Sequence, residues 1–291
     1  MQPTQFEVSD LFVEIKMNKV EINIHLEDAF LNDNLRLMEK LLDLGANPNY
    51  QTDFAVNGSV ERMSLMHACL LPRYIKGLEQ VYDQFALEKI DLLLRKGGNP
   101  NITCTTVGTL LHCVTNDEDH YRALNLLRQG VDPFIKDRDG YSFYEYSVYN
   151  SKDLIIETIK ENFPEYKLHE FEALKETLHD RTTQRLVKLL KYIDPLSSNS
   201  EGRSFLELCV MRDNYPAFAV AVSTSLEALR SGMYMSLFFN NADSMRIACK
   251  IADSLENGQE IFNDFLKSTS YLQNRDDARD VLMEYIIPQD L

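Results

Sequence analysis

The chain has 291 residues, 44% of them hydrophobic, with 45 acidic against 30 basic side chains and a formal charge of −15. That apolar content supports a real core, while a surface of this sign repels phosphate backbones and anionic membranes, so nucleic acid and lipid are disfavoured; the excess acid either steers a basic protein partner toward the chain or simply keeps the fold soluble. No run of 18 apolar residues occurs and the first residues lack a basic region followed by an apolar stretch, so neither a membrane span nor a secretory leader is expected.

Residues 1–20 leave two options open. Leu11, Phe12 and Ile15 fit a short capping helix, and Val20-Glu21-Ile22-Asn23-Ile24 alternates like a short strand. A helical pair is expected over about 24 to 44, turning at Asn32-Asp33-Asn34. It ends in Leu41-Leu42-Asp43-Leu44 followed by Gly45-Ala46-Asn47-Pro48-Asn49. The second pair, about 50 to 97, ends the same way in Leu92-Leu93-Leu94-Arg95-Lys96 and Gly97-Gly98-Asn99-Pro100-Asn101. The third, 102 to 130, closes with Leu124-Asn125-Leu126-Leu127-Arg128 and Gly130-Val131-Asp132-Pro133-Phe134; the fourth runs from 135 to 163. Gly97 and Gly130 are 33 residues apart. A helix that stops at glycine, turns through Asn/Asp-Pro and restarts with that period is the mark of a stacked repeat.

The entry segments keep the same step. Ser64-Leu65-Met66-His67, Thr109-Leu110-Leu111-His112, Ser142-Phe143-Tyr144-Glu145 and Ser204-Phe205-Leu206-Glu207 each place a helix N-cap three residues before His or Glu. Thr109 and Ser142 are 33 apart, Ser142 and Ser204 are 62 apart, and Asp139-Gly140-Tyr141 returns as Glu201-Gly202-Arg203. Further pairs are expected from Phe171 to Ile193, over about 204 to 222, over about 233 to 254 with a turn at Asn240-Asn241-Ala242-Asp243, and over about 259 to 286 as a cap. His67 to His112 spans 45 residues, so about 12 are inserted, placed at Arg73 to Phe85.

These motifs resemble the ankyrin repeat. The likeness is specific over roughly 26 to 150 and reasonable around 200 to 222, departing where proline is missing after the Ser/Thr and where Glu145 and Glu207 replace histidine. It implies an all-α, ankyrin-repeat-like solenoid of six to eight stacked helix-turn-helix pairs with short β-hairpin fingers. Residues 1–166 would carry the repeats with an N-terminal cap, and 167–291 divergent helical repeats and a C-terminal cap, continuous with the first part. It also implies that His67 and His112 are buried scaffold residues rather than ligands or catalysts. The degenerate repeats resemble bacterial or viral members of the family.

No enzymatic constellation stands. His169-Glu170 opens an HExxH-like string, but Ala173 takes the place of the second ligand. No Walker loop, GxSxG or GxGxxG occurs, and five scattered cysteines without a CxxC fit neither a disulfide framework nor a zinc site, which favours a reducing cytoplasm. No cofactor or metal is expected. Cys104, in the turn Ile102 to Thr106, is expected to be exposed.

The resemblance implies recognition of a partner protein through a concave face built from hairpin fingers and the first helix of each pair. Positions the motif does not need are Thr105, Asn116 and Asp117 in the third unit; Arg138, Asp139, Tyr141, Tyr149 and Asn150 in the fourth; and Arg203 and Arg212 near 200. The enlarged second unit adds Asp53 and Phe54 on a long finger, where an apolar tip residue has little structural reason to be, and Arg73 and Tyr74 beside it. Tyrosine and arginine suit such a surface because each buries a large area under a polar tip. Three function classes follow: a non-enzymatic binding scaffold such as a bacterial effector, an inhibitor or immunity protein occluding a basic toxin or enzyme, and an enzyme with its site in 225–291.

Overall fold

Backbone chemistry at glycine and asparagine sets the helix boundaries in the computed structural model, which describes residues 19–56, 58–71, 86–115, 120–180, 182–269 and 276–286. The chain separates into two compact units, Met1–Phe143 and Tyr144–Leu291. In the first unit lie α1 (Lys19–Leu31), α2 (Leu35–Asp43), the antiparallel hairpin β1 (Gln51–Val56) and β2 (Ser59–Ser64), then α3 (Leu65–Leu70), α4 (Ala86–Arg95), a 3-10 turn at Leu110–Val114 and α5 (His120–Arg128). The second unit takes up α6 (Phe143–Tyr149) at its second residue, then α7 (Asp153–Asn162), α8 (Tyr166–Glu176) with a 3-10 turn at Thr177–His179, and α9 (Gln184–Leu189). It continues with α10 (Phe205–Met211), α11 (Tyr215–Val222), α12 (Leu226–Phe238), α13 (Ala242–Asp253), α14 (Gly258–Thr269) and α15 (Asp276–Glu284). The protein is therefore predominantly helical, with one small two-stranded sheet among the described residues.

The strand option for Val20 to Ile24 is wrong. Those residues begin α1, where Ile22, Leu26, Ala29 and Phe30 are buried at helical spacing while Val20 and Ile24 face outward. Leu11, Phe12 and Ile15 lie outside the described residues, as does the insertion expected at Arg73 to Phe85.

Three helices end in one geometry. Gly45, Gly97 and Gly130 have φ of +97°, +92° and +81°, a region open to glycine without a Cβ clash. The N–H of Ala46 reaches Leu41 O at 2.9 Å, that of Gly98 reaches Leu93 O at 2.9 Å, and that of Val131 reaches Leu126 O at 3.1 Å, capping carbonyls the helix leaves open. The Asn/Asp that follows then orders the turn. Asn47, Asn99 and Asp132 each accept the N–H two residues on, from Asn49, Asn101 and Phe134, at 2.9, 2.9 and 2.8 Å. The last residue of one turn also joins the next turn. Asn49 Oδ1 accepts the Asn99 N–H at 2.6 Å, and Asn101 Oδ1 accepts the Asp132 N–H at 2.8 Å. The asparagines of the G-x-N-P-N string thus hold the chain both along its length and sideways.

Turns between paired helices share a second geometry. Asp33, Ser151, Asp213 and Asn240 have φ near +50°, between +51° and +55°. Asn34, Asn214 and Asn241 follow three of them and cap the next helix, accepting the N–H of Leu37, Ala217 and Ser244 at 3.1, 3.1 and 2.9 Å.

Packing in the second unit runs from pair to pair. The first helices touch in succession, α8 to α10 to α12 to α14, and the second helices likewise, α9 to α11 to α13 to α15. Phe171, Phe205, Phe218, Met233, Met245 and Phe262 lie in this core at 1% exposure or less. Burying each such side chain stabilises the fold by roughly 1.5–3 kcal/mol. One glycine is dictated by the packing: a Cβ at Gly232 of α12 would collide with the Val222 side chain and lie 3.1 Å from Phe218 Cζ.

Candidate protein-binding surface

The fingers of the first unit are held from below by two histidines. Ser64 caps α3, and the ring Nδ1 of His67 lies 2.8 Å from its hydroxyl while Nε2 lies 3.1 Å from the carbonyl oxygen of Gly108. A carbonyl only accepts, so Nε2 carries the proton and Nδ1 accepts from the Ser64 hydroxyl. His112 repeats the arrangement. Its Nδ1 accepts the Thr109 N–H at 3.1 Å, and Nε2 donates to Tyr141 O at 3.0 Å. Each ring therefore ties the helix start of one pair to the finger of the next. Burial holds both imidazoles neutral, lowering His67 to about 4 and His112 in the same direction. Gly108 must be glycine here: its φ is +90°, and a Cβ would stand 3.0 Å from His112 Nδ1 and 3.0 Å from Asp137 Cβ.

Each finger is a short antiparallel element. The β1–β2 hairpin pairs Asp53 with Arg62 and Phe54 with Glu61; the later fingers shrink to single bridges, Cys104 with Gly108, Lys136 with Ser142, and Ser198 with Ser204 in the second unit. Asp137 Oδ1 accepts the N–H of Asp139 and of Tyr141, both at 3.0 Å. Asn199 Oδ1 does the same for Glu201 and Arg203 at 3.0 and 2.9 Å. A single Asx side chain thereby fixes each of these two tips.

Strand alternation decides which finger residues face outward. Phe54 and Met63 lie on the inner face at 6% and 1% exposure, whereas Asp53, Ala55, Val60 and Arg62 are exposed. The expectation that Phe54 is offered at the tip fails, because its face of the pleat is the core face. The large apolar residue this finger exposes is Val60, at 73%. Cys104 is a second correction. It is buried, and its Sγ donates to Arg62 O at 3.6 Å, joining one finger to the next.

Of the remaining expected positions, Asp53, Thr105, Arg138 and Asp139 are exposed on the first unit's fingers and Tyr141 is half-buried. Asp53 faces Arg62 at 3.6 Å and Arg138 faces Asp139 at 3.9 Å, exposed pairs that contribute little. Tyr149, Asn150, Arg203 and Arg212 are exposed on the second unit. There Lys188 Nζ stands 3.4 Å from the centre of the Tyr149 ring, and Asn150 Nδ2 donates to Tyr146 O at 2.9 Å. Arg73, Tyr74, Asn116 and Asp117 lie outside the described residues.

Two internal charged networks lie in the second unit, the first of them at the place where the first unit has histidine. Glu145, buried at 4%, pairs with Arg185 at 2.5 Å, and Arg185 also meets Glu176 at 3.4 Å. Tyr144 donates to Glu170 Oε1 at 2.9 Å, the same oxygen that Lys160 Nζ meets at 2.9 Å. Burial and then the Glu170 carboxylate push the Tyr144 phenol far up, so it stays a proton donor. Glu170 of the HExxH-like string is thus occupied in packing. All five cysteines are free and buried, and burial raises the Cys69, Cys209 and Cys249 thiols to about 12. Thiols held so high are poor nucleophiles. Among the described residues no three His, Cys, Asp or Glu side chains could hold a metal ion, and no helix is long and apolar enough to cross a membrane.

No family model matches the chain, and no curated protein matches it significantly.

One surface escaped the sequence reading. Leu226, Arg230, Tyr234 and Phe238 follow one another at four-residue steps along α12, and Leu226 and Phe238 are 41% and 43% exposed. The spacing was legible, but an apolar stripe on a helix reads as core until its neighbours are placed.

Proposed function

We propose that this chain is a non-enzymatic scaffold of the ankyrin type, a solenoid of stacked helix pairs that binds a basic partner protein through its fingers. On the first unit the recognition residues are Asp53, Thr105, Arg138, Asp139 and Tyr141. The observation that carries the reading is a division of labour within the fingers. Histidine latches hold main-chain carbonyls of the 104–108 and 136–142 fingers, while Asp53, Arg138 and Asp139 enter exposed ion pairs. A backbone fixed in this way binds with little ordering cost. The charge of −15 supports a basic partner, whose approach it accelerates. In this reading the chain works in a cytoplasm, either its own or that of a host into which it is delivered as an effector.

The test compares the wild type with the double variant Asp139→Ala, Tyr141→Ala in affinity purification followed by mass spectrometry. The variant should lose the specific partner while its unfolding free energy stays within about 1 kcal/mol, as expected of surface positions. An unchanged partner set in a normally folded variant sinks the finger surface. A basic toxin or enzyme inactivated on capture would make the scaffold an inhibitor.

A further inference from the structure

Between α12 and α14 lies a cleft of about 390 Å³, in the range of sites that take a side chain or small ligand. Phe265, 6% exposed, and Met235 give it an apolar lining. Tyr234 adds an aromatic wall, its ring stacked on Phe238 at 6.3 Å with 18° between the planes. Arg230 and Asp264, both half-exposed, complete it with 3.7 Å between Nη2 and Oδ2. That gap is beyond a hydrogen bond, and an exposed pair of this kind contributes little, so another cation can take over the carboxylate at small cost.

Carboxylates outnumber cations around the cleft, with Lys267 exposed beside Ser268 on α14, and this favours a cationic occupant. Exposed carboxylates stand one turn before the lining residues on both helices, Glu227 on α12 and Glu260 on α14. Residues 225–291 carry 11 acids against 6 bases. An anion would meet Asp264, Glu227 and Glu260, and a purely apolar segment would leave the Asp264 carboxylate unpaired as it was covered.

We propose that this cleft receives an arginine side chain from a basic partner segment. The methylene stem lies on Phe265 and Met235, the guanidinium plane faces Tyr234, and its fork meets Asp264. Arginine fits better than lysine because its planar group stacks on an aromatic ring and pairs with a carboxylate through two N–H groups at once. Arg230 competes for the same carboxylate, so it limits affinity. This site shares no residue with the finger surface of the first unit.

The chain contains no tryptophan, so a Trp-bearing peptide reports binding by its own fluorescence. The probes are acetylated peptides of alternating Arg and Leu, or Lys and Leu, each carrying one terminal Trp, at about 0.15 M salt, where long-range charge attraction is largely screened. The Arg peptide should bind roughly fivefold tighter than the Lys peptide. Asp264→Asn should weaken it about tenfold, Tyr234→Ala about fivefold, and Arg230→Ala should tighten it about threefold. Asp139→Ala, Tyr141→Ala should leave it unchanged. Equal binding of Arg and Lys peptides, or full binding by a folded Asp264→Asn protein, overturns the site in favour of bulk charge attraction. Loss of binding in the finger variant alone moves the peptide to the fingers and equally removes the proposal.

Discussion

The two units solve one problem with different chemistry at the same place in the motif. Three residues after the helix cap, the first unit places His67 and His112, neutral rings that donate to carbonyls of the following finger. In the second unit that place holds Glu145 in α6, which reaches Arg185, 40 residues further along the chain, and Glu207 in α10. Both devices tie one helix pair to later chain. They differ in what removal costs. Loss of a neutral hydrogen bond costs about 1–3 kcal/mol, whereas removing one partner of a buried ion pair leaves a charge without compensation. The lesson is that a motif position can keep its bridging role while its residue type changes.

The sharpest way to break the contrast is Arg185→Ala. It takes the guanidinium away from Glu145, which is 4% exposed, and should cost about 3–5 kcal/mol, read as a lower midpoint in urea unfolding of the second unit. The pair Arg185→Met with Glu145→Leu should recover most of that loss. If Arg185→Ala is as stable as the wild type, the ion pair is not what joins these elements.

Acid should single out the first unit. His67 titrates at about 4 in the fold against 6.5 when unfolded, so below pH 6.5 the unfolded chain binds more protons. The stability is fully present above pH 6.5 and is lost as pH falls toward 4. Over that window the loss from His67 is about 3 kcal/mol, with His112 adding in the same direction. Unfolding measured at pH 6.5 and 4.5 should show this slope in the wild type and a shallower one in His67→Gln.

Gly232→Ala should cost about 1–2 kcal/mol, because overpacking against Val222 and Phe218 outweighs the helix-propensity gain. A gain in melting temperature would show that α11 and α12 can part without penalty. The smallest expected effect is none at all: a thiol reagent should label no cysteine of the native protein, since all five are buried. Prompt labelling of Cys104 would return it to an exposed turn.

Much of the local architecture could be read from the chain. Gly45, Gly97 and Gly130 end helices because only glycine takes φ near +90° freely, and Asn34, Ser64, Asn214 and Asn241 start them because short polar side chains reach the open N–H groups. These effects act within about six residues, so sequence alone determines them. The surface was legible only in part. Asp53, Thr105, Arg138 and Asp139 are exposed as expected of residues the motif leaves over, but Phe54 and Cys104 are not. Whether a residue on a finger faces inward depends on strand register and on the neighbour beneath it, which local pattern does not carry.

The same division holds for the charged interior. Lys89 reads as a surface residue of an amphipathic helix, yet it is 2% exposed, donating to Phe30 O at 3.0 Å, paired with Asp33 and lying 4.4 Å from the centre of the Phe30 ring. Its partners stand 59 and 56 residues earlier. Helix identity, caps and turns were settled by bonds within a turn or two of chain. Which carboxylate meets which base, which aromatic ring is covered, and where the α12–α14 cleft opens were settled by packing, because those energies exist only once distant segments share a low-dielectric interior.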